Sequence, residues 1–161
     1  KFIILLRNPV DRAHSHYTMI QRRNSEPSSF EKAIEDEEQR ITEPFNKMLN
    51  DSNYYSDIYF RHAYLHRGLY VDKIKRWMEV FPKEQFLIIQ SEEFLRNTSK
   101  TYNDVLEFLG LPNWEPKEFV LYKKRPYKEK ISSNLRNELV DYFKPHNQKL
   151  YDFLGKSFDW N

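Results

Sequence analysis

Lys1-Phe2-Ile3-Ile4-Leu5-Leu6-Arg7-Asn8-Pro9-Val10-Asp11-Arg12-Ala13-His14-Ser15-His16-Tyr17 decides the class of fold. Phe2 to Leu6 is apolar without polar alternation, the pattern of a strand covered on both faces and typical of parallel sheets in α/β proteins. Such a strand needs strand neighbours. Asn8-Pro9 then opens a helix, because Asn caps well and Pro loses nothing in a first turn whose N–H groups have no intrahelical partner. At about 100° per residue, Val10, Ala13, Tyr17 and Ile20 form one apolar stripe, with Ser15 on the opposite side beside Asp11 and Arg22. The serine is therefore expected to point away from the core.

Further along, Ser28-Ser29 can cap an acidic helix from about Phe30 to Ile41. Residues 42 to 59, with Pro44 and Asn50-Asp51-Ser52-Asn53 among them, read as a long excursion and a candidate substrate-facing lobe. A helix from about Leu69 to Phe81 is expected to bury Ile74, Trp77, Met78 and Phe81. Phe86-Leu87-Ile88-Ile89-Gln90 is a second continuous apolar strand, and strand, helix, strand order fits a parallel sheet with crossovers. Ser91 and Thr98 are expected as caps, and Tyr102, Val105, Leu106 and Leu109 mark a helix stopped by Gly110 and Pro112. Two closing helices are expected on either side of Pro145. The first buries Leu135, Leu139 and Phe143, the second Leu150, Tyr151 and Leu154, and Gly155 ends it. The fold class is α/β, a parallel sheet flanked by helices.

Composition narrows the functions. The 161 residues suffice for one core, and 16% aromatic residues supply its bulk. No apolar run approaches the roughly 18 residues of a membrane span, so no membrane segment is expected. Zero cysteines exclude disulfides, thiolate metal sites and cysteine nucleophiles, and fit a reducing, cytoplasmic setting. The 26 basic and 24 acidic residues leave a net charge of +2, unlike the one-signed field of a nucleic-acid binder. No nucleic-acid partner is expected, and any anion site must be local.

A buried strand that delivers Arg7 to its carboxyl end, followed at once by a helix N-terminus, is the arrangement that binds phosphates in open α/β sheets. The guanidinium adds charge-assisted bonds and Ser15 offers a hydroxyl. A plainer reading, with Arg7 paired to Asp11 and Ser15 an ordinary exposed serine, fits the same residues. His14 and His16 flank Ser15 and are expected to line the helix surface or cover a nucleotide. His62 and His66, four apart, lack a third ligand for a metal site, so no metal is expected. Glu92 and Glu93 read as helix-start residues.

Arg7-Asn8-Pro9-Val10-Asp11-Arg12 with Ser15 and Tyr17 resembles the 3′-phosphate-binding motif of sulfotransferases that use 3′-phosphoadenosine-5′-phosphosulfate (PAPS). Arg67-Gly68-Leu69-Tyr70, Ser91-Glu92-Glu93-Phe94, Phe108-Leu109-Gly110-Leu111-Pro112 and Tyr142-Phe143-Lys144-Pro145 resemble later landmarks of the heparan-sulfate-type and bacterial members. The resemblance implies a P-loop-NTPase-like sulfotransferase fold and a sulfuryl transfer to a hydroxyl or amine acceptor, releasing adenosine 3′,5′-bisphosphate (PAP). It implies that Arg7 and Ser15 hold the 3′-phosphate under a basic loop at Lys123, Lys124 and Arg125. Arg125-Pro126 departs from the glycine that often follows the family cation, which leaves the choice among the three open.

The family's 5′-phosphosulfate loop has no counterpart, since the only glycines are Gly68, Gly110 and Gly155 and no Walker pattern occurs. Residues 1–161 are accordingly expected to be the C-terminal portion of one catalytic domain, inactive alone, with its catalytic base unidentified. An uncovered edge of the first strand would favour self-association. Rival classes are a P-loop kinase-like phosphotransferase and a non-catalytic interaction module.

Overall fold

A computed structural model describes residues 1–120 and 130–160. Its strands, β1 (Phe2–Leu6) and β2 (Phe86–Gln90), pair in parallel from Phe2 opposite Phe86 to Leu6 opposite Gln90. Around them in sequence run α1 (Pro9–Gln21), α2 (Phe30–Glu35), α3 (Glu37–Asn50), α4 (Asp57–His62), α5 (Val71–Val80), α6 (Ser91–Arg96), α7 (Thr98–Leu109) and α8 (Ser133–Leu154), with 3-10 turns at His66–Gly68 and Lys83–Gln85. The class is α/β, as expected. The chain forms two compact units, one from Lys1–Asn8 and residues 72–120, the other from Pro9–Val71 and residues 130–160.

In the first unit the parallel pair is pinned at its start by aromatic packing. The Phe2 ring stacks on Phe86 at 4.8 Å and tilts against Phe81 at 4.7 Å and Trp77 at 5.4 Å. Coverage of β1 on both faces does not hold: Phe2, Ile4 and Leu6 turn inward while Ile3 is 39% and Leu5 52% exposed. Uniform hydrophobicity reports what a strand tolerates, whereas the pleat decides which alternate residues are covered. Trp77 is also more exposed than its helical spacing suggests, whereas Val71 and Ile74 of α5 are buried. Gly110 ends α7 in the left-handed region at φ 79°, letting the Leu111 N–H reach the Leu106 carbonyl at 2.9 Å.

The second unit has its core where the α1 stripe predicts. Val10, Ala13, Tyr17 and Ile20 pack with Phe30, Ala33, Tyr64, Leu139 and Phe143. Ser29 caps α2 by accepting from the Lys32 N–H at 3.3 Å, but the helix breaks at Asp36 instead of running to Ile41. The expected excursion is instead largely helical. α3 continues through Pro44 to Asn50, and α4 starts where Ser56 accepts from the Tyr59 N–H at 3.1 Å. Ile41, Tyr59 and Ala63, with Phe45, Met48 and Phe60, give these helices a core of their own. The expected closing pair is one helix, α8, which runs through Pro145 from its Ser132 cap to Gly155 at φ 66°. Its buried residues Leu139, Phe143, Asn147, Leu150 and Tyr151 keep one stripe across the proline, which sits on the exposed side.

Buried charge is matched unevenly here. Glu26 accepts from Arg40 at 2.7 Å and the Tyr64 hydroxyl at 2.9 Å and meets His62 Nδ1 at 3.1 Å. Burial alone would raise its pKa, but the hydrogen bonds from Tyr64 and Arg40 outweigh it and hold the carboxyl below its ordinary value.

Gly68 sits where two helices of this unit leave no room for a side chain. A Cβ there would stand 2.9 Å from Phe143 Cε1 and 3.1 Å from the Pro9 Cβ, between α8 and the first turn of α1. Gly68→Ala is therefore expected to cost about 1–3 kcal/mol through overpacking. Urea unfolding checks this, and an unchanged midpoint would contradict the close approach.

Candidate functional site

The parallel pair places two chain ends side by side. Leu6 lies opposite Gln90, so two residues further on Asn8 comes beside Glu92. The Glu92 carboxylate accepts the Asn8 backbone N–H at 2.8 Å from the first turn of α6. This bond fixes the turn that follows Arg7, whose part-buried side chain leaves the carboxyl end of β1. Glu92 does occupy a helix start, as expected, but the sequence reading missed its hold on the Asn8 amide. The signal was available only through the strand register, since Glu92 follows β2 at the same distance as Asn8 follows β1.

α1 opens the second unit with Pro9 and Val10 buried. Asp11 bonds Arg136 of α8. Arg12 turns inward and donates to the Tyr64 carbonyl. Its pKa is lowered by burial and by the neighbouring charge of Arg67, against the opposing influence of Tyr70. Ser15 is only part-buried and shares the less covered sector of α1 with Asp11, Arg22 and the exposed Met19. The serine thus faces away from the core, as the periodicity predicts.

His14 and His16 do not line the surface. His14 packs edge-on against Phe30 at 5.2 Å, and His16 against Tyr64 at 5.1 Å. Both are buried, because the covered sector of α1 is wider than its four apolar residues and takes in the positions on either side. Burial first, and then the charges of Arg12 and Arg67, push the His16 pKa down to about 4. The ring is therefore neutral at physiological pH, and a polar contact with the Phe60 backbone only partly offsets that shift. A proton acceptor for surface chemistry is not found in this pair.

His62 and His66 also serve separate contacts. His62 meets Glu26, while His66 Nδ1 shares a hydrogen bond with the Tyr59 hydroxyl at 2.9 Å. Among the described residues no group of three or more His, Asp or Glu side chains is arranged to hold a metal ion, and no helix is long and apolar enough to cross a membrane. Lys123, Lys124 and Arg125 lie outside the described residues. Arg7 belongs to the first unit and Ser15 to the second.

Comparison with known proteins agrees with the motif. A family model described as "Sulfotransferase domain" matches residues 1–160. The chain is 28% identical over 180 residues to carbohydrate sulfotransferase 15 of Homo sapiens, covering 99% of this chain and 31% of that protein. It is 26% identical over 184 residues to heparan sulfate glucosamine 3-O-sulfotransferase 3B1 of Mus musculus, covering 43% of it. The crystal structure of a sulfotransferase from Alicyclobacillus acidocaldarius matches with a TM-score of 0.74 and 31% identity, over 98% of this chain and 56% of that one. The chain thus spans less than two thirds of each of these relatives.

Glu92→Ala removes a carboxylate acceptor from a backbone N–H and is expected to destabilise the protein by about 1–3 kcal/mol, with Glu92→Gln recovering most of the loss. Hydrogen exchange at the Asn8 amide reads the same bond directly. Equal exchange in wild type and Glu92→Ala would show that the carboxylate does not hold the turn.

Proposed function

The chain belongs to the sulfotransferase domain family, and from that premise we propose that it carries the 3′-phosphate-binding part of an enzyme transferring a sulfuryl group from PAPS to an acceptor hydroxyl or amine. The observation that carries this reading is the delivery of Arg7 to the carboxyl end of a parallel strand that runs directly into α1, with Ser15 in the less covered sector of that helix. A phosphate bound there would take charge-assisted bonds from the guanidinium, a hydroxyl donor from Ser15 and the favourable field of a helix N-terminus. Lys123, Lys124 or Arg125 would add a second cation, on the strength of the family resemblance.

The chemistry is a displacement at sulfur. The bond between sulfur and the bridging phosphate oxygen breaks, a bond to the acceptor oxygen or nitrogen forms, and PAP leaves with the bridging oxygen's negative charge. The acceptor's proton passes to a base, and the burial of His14 and His16 argues against either in that role. This chain's contribution is to bind and orient the nucleotide by its 3′-phosphate, which makes the reaction effectively intramolecular. The three glycines supply no phosphate loop for the 5′-phosphosulfate, so the 161 residues alone are expected to bind PAP weakly and to transfer no sulfuryl group.

Calorimetric titration with PAP tests the assignment. Arg7→Ala is expected to cost about 1.5–3 kcal/mol of binding and Ser15→Ala about 1 kcal/mol. Adenosine 5′-phosphate, which lacks the 3′-phosphate, should lose little from either substitution. Lys124→Ala and Arg125→Ala, taken in turn, test whether either supplies the second cation by the same contrast. Unchanged PAP affinity in both Arg7→Ala and Ser15→Ala would overturn the assignment.

A further inference from the structure

Within the second unit, α2 and α3, the segment at Leu65 and His66, and Tyr142 of α8 enclose a cavity of about 440 Å³. That volume lies within the range of small-molecule sites. Ile34, Ile41, Phe45 and Leu65 form apolar walls, and Tyr142 adds a second aromatic face from a different helix. Every charged side chain lining it, apart from the titratable His66, is a carboxylate: Glu35, Glu37 and Glu38. Among the described residues no lysine or arginine lines it.

The three carboxylates differ in how they are compensated. Glu35 has exposed Lys32 at 3.6 Å, although Lys32 sits closer to Asp36 at 2.7 Å. Glu38 is exposed, and among the described residues no ion pair engages it. Glu37 is only 4% exposed, and its two oxygens accept the backbone N–H groups of Leu65 and His66 at 2.7 Å each. Those amides orient the carboxylate but carry no net charge. Arg12 acts on Glu37 only through space, and burial raises the Glu37 pKa. A nearly buried carboxyl at the wall of an apolar cavity, with amide dipoles but no cation in contact, has its ionised form favoured by any cation brought beside it. Tyr142, close enough to Glu37 and Glu38 for both to raise its own pKa after burial has done so, supplies the electron-rich face that a cation prefers.

We propose that this cavity is a binding site for an organic monocation, a primary or quaternary ammonium head on an apolar body the size of one aromatic ring. The body fills the space between Ile34, Ile41, Phe45 and Leu65, and the head meets Glu37 and Glu38 beside the Tyr142 ring. A polyanion such as a sulfated polysaccharide would face three carboxylates here and be rejected. The inference is independent of the nucleotide reading, because its ligand, its residues and its readout are all separate from Arg7 and Ser15.

The test is an NMR titration of the protein, without nucleotide, using phenethylamine, its neutral counterpart 2-phenylethanol and its anionic counterpart phenylacetate. Phenethylammonium is expected to bind about tenfold more tightly than the alcohol, with shifts centred on Ile41, Phe45 and Tyr142, and phenylacetate not at all. Glu37 holds two amides of the fold, so the substitutions fall on exposed groups. Glu38→Gln and Tyr142→Leu should each weaken the amine about fivefold while leaving the alcohol unchanged. Equal affinity for amine and alcohol, no saturable shift below roughly 10 mM amine, or full amine affinity in both variants would overturn the proposal.

Discussion

The parallel register of β1 with β2 is the constraint on which the rest depends. In a parallel pair both strands end on the same side of the sheet, so whatever follows each of them emerges next to the other. Leu6 opposite Gln90 puts the turn at Asn8 beside the first turn of α6, and Glu92 closes the gap with one hydrogen bond. At the opposite end Phe2 is held by Phe86, Phe81 and Trp77. A slip of one residue would invert the faces of β1, lifting Phe2 out of its aromatic cluster and parting Asn8 from Glu92. The aromatic rings supply apolar burial and the carboxylate supplies direction. Together they determine where Arg7 leaves the sheet.

The second unit solves a different problem, the burial of charge. Glu26 and Glu37 are both nearly inaccessible, yet their environments push their proton affinities in opposite directions. Glu26 has a guanidinium and a phenol in hydrogen-bond contact and an imidazole beside it, so ionisation is favoured despite burial. Glu37 has two amides, whose dipoles offset only part of the desolvation. Arg12 and His16 show the converse on α1, where burial among like charges lowers both pKa values. The helix that carries Ser15 on its less covered side therefore presents polar groups to the core as well, held by geometry more than by apolar character.

Much of the first unit was legible because its signals are local. An apolar run and a glycine after a helical stripe each act within a few residues, and β1, β2 and α7 stand where those signals put them, as does α1 of the second unit behind its Asn-Pro start. The two prolines misled for a physical reason. An internal proline costs a helix roughly 3 kcal/mol, which argues for a break at Pro44 and Pro145. Each helix nevertheless continues, because the residues on either side bury a common stripe, Ile41 with Phe45 and Met48, and Leu139 through Phe143 to Leu150. Tertiary packing offset the local penalty, and no local reading of the chain includes that term. The partial exposure of β1 and the burial of His14 and His16 were hidden likewise, since both depend on what packs opposite.

The same distinction separates the two candidate sites. The proposed phosphate site takes Arg7 and Ser15 from one run of nine consecutive residues, so its members are named by the order of the chain. The acidic cavity draws on α2, α3, a turn after α4 and a residue of α8 almost eighty positions later along the chain. Glu37 shares a helical face with Phe30, Ala33, Ile34 and Ile41, but nothing local names its partners, and the near-balance of 26 basic and 24 acidic residues conceals any local excess. Just past the break at Asp36, in the first turn of α3, Glu37 accepts the amides of Leu65 and His66 from the segment after α4. On a helix continuous from Phe30 to Ile41, Glu37 would lie about 40° from the buried Ala33, so periodicity alone already turns it inward. What the local order of residues could not supply is the pair of amides, 28 and 29 positions further along the chain, that makes a buried carboxylate tolerable in the wall of a cavity.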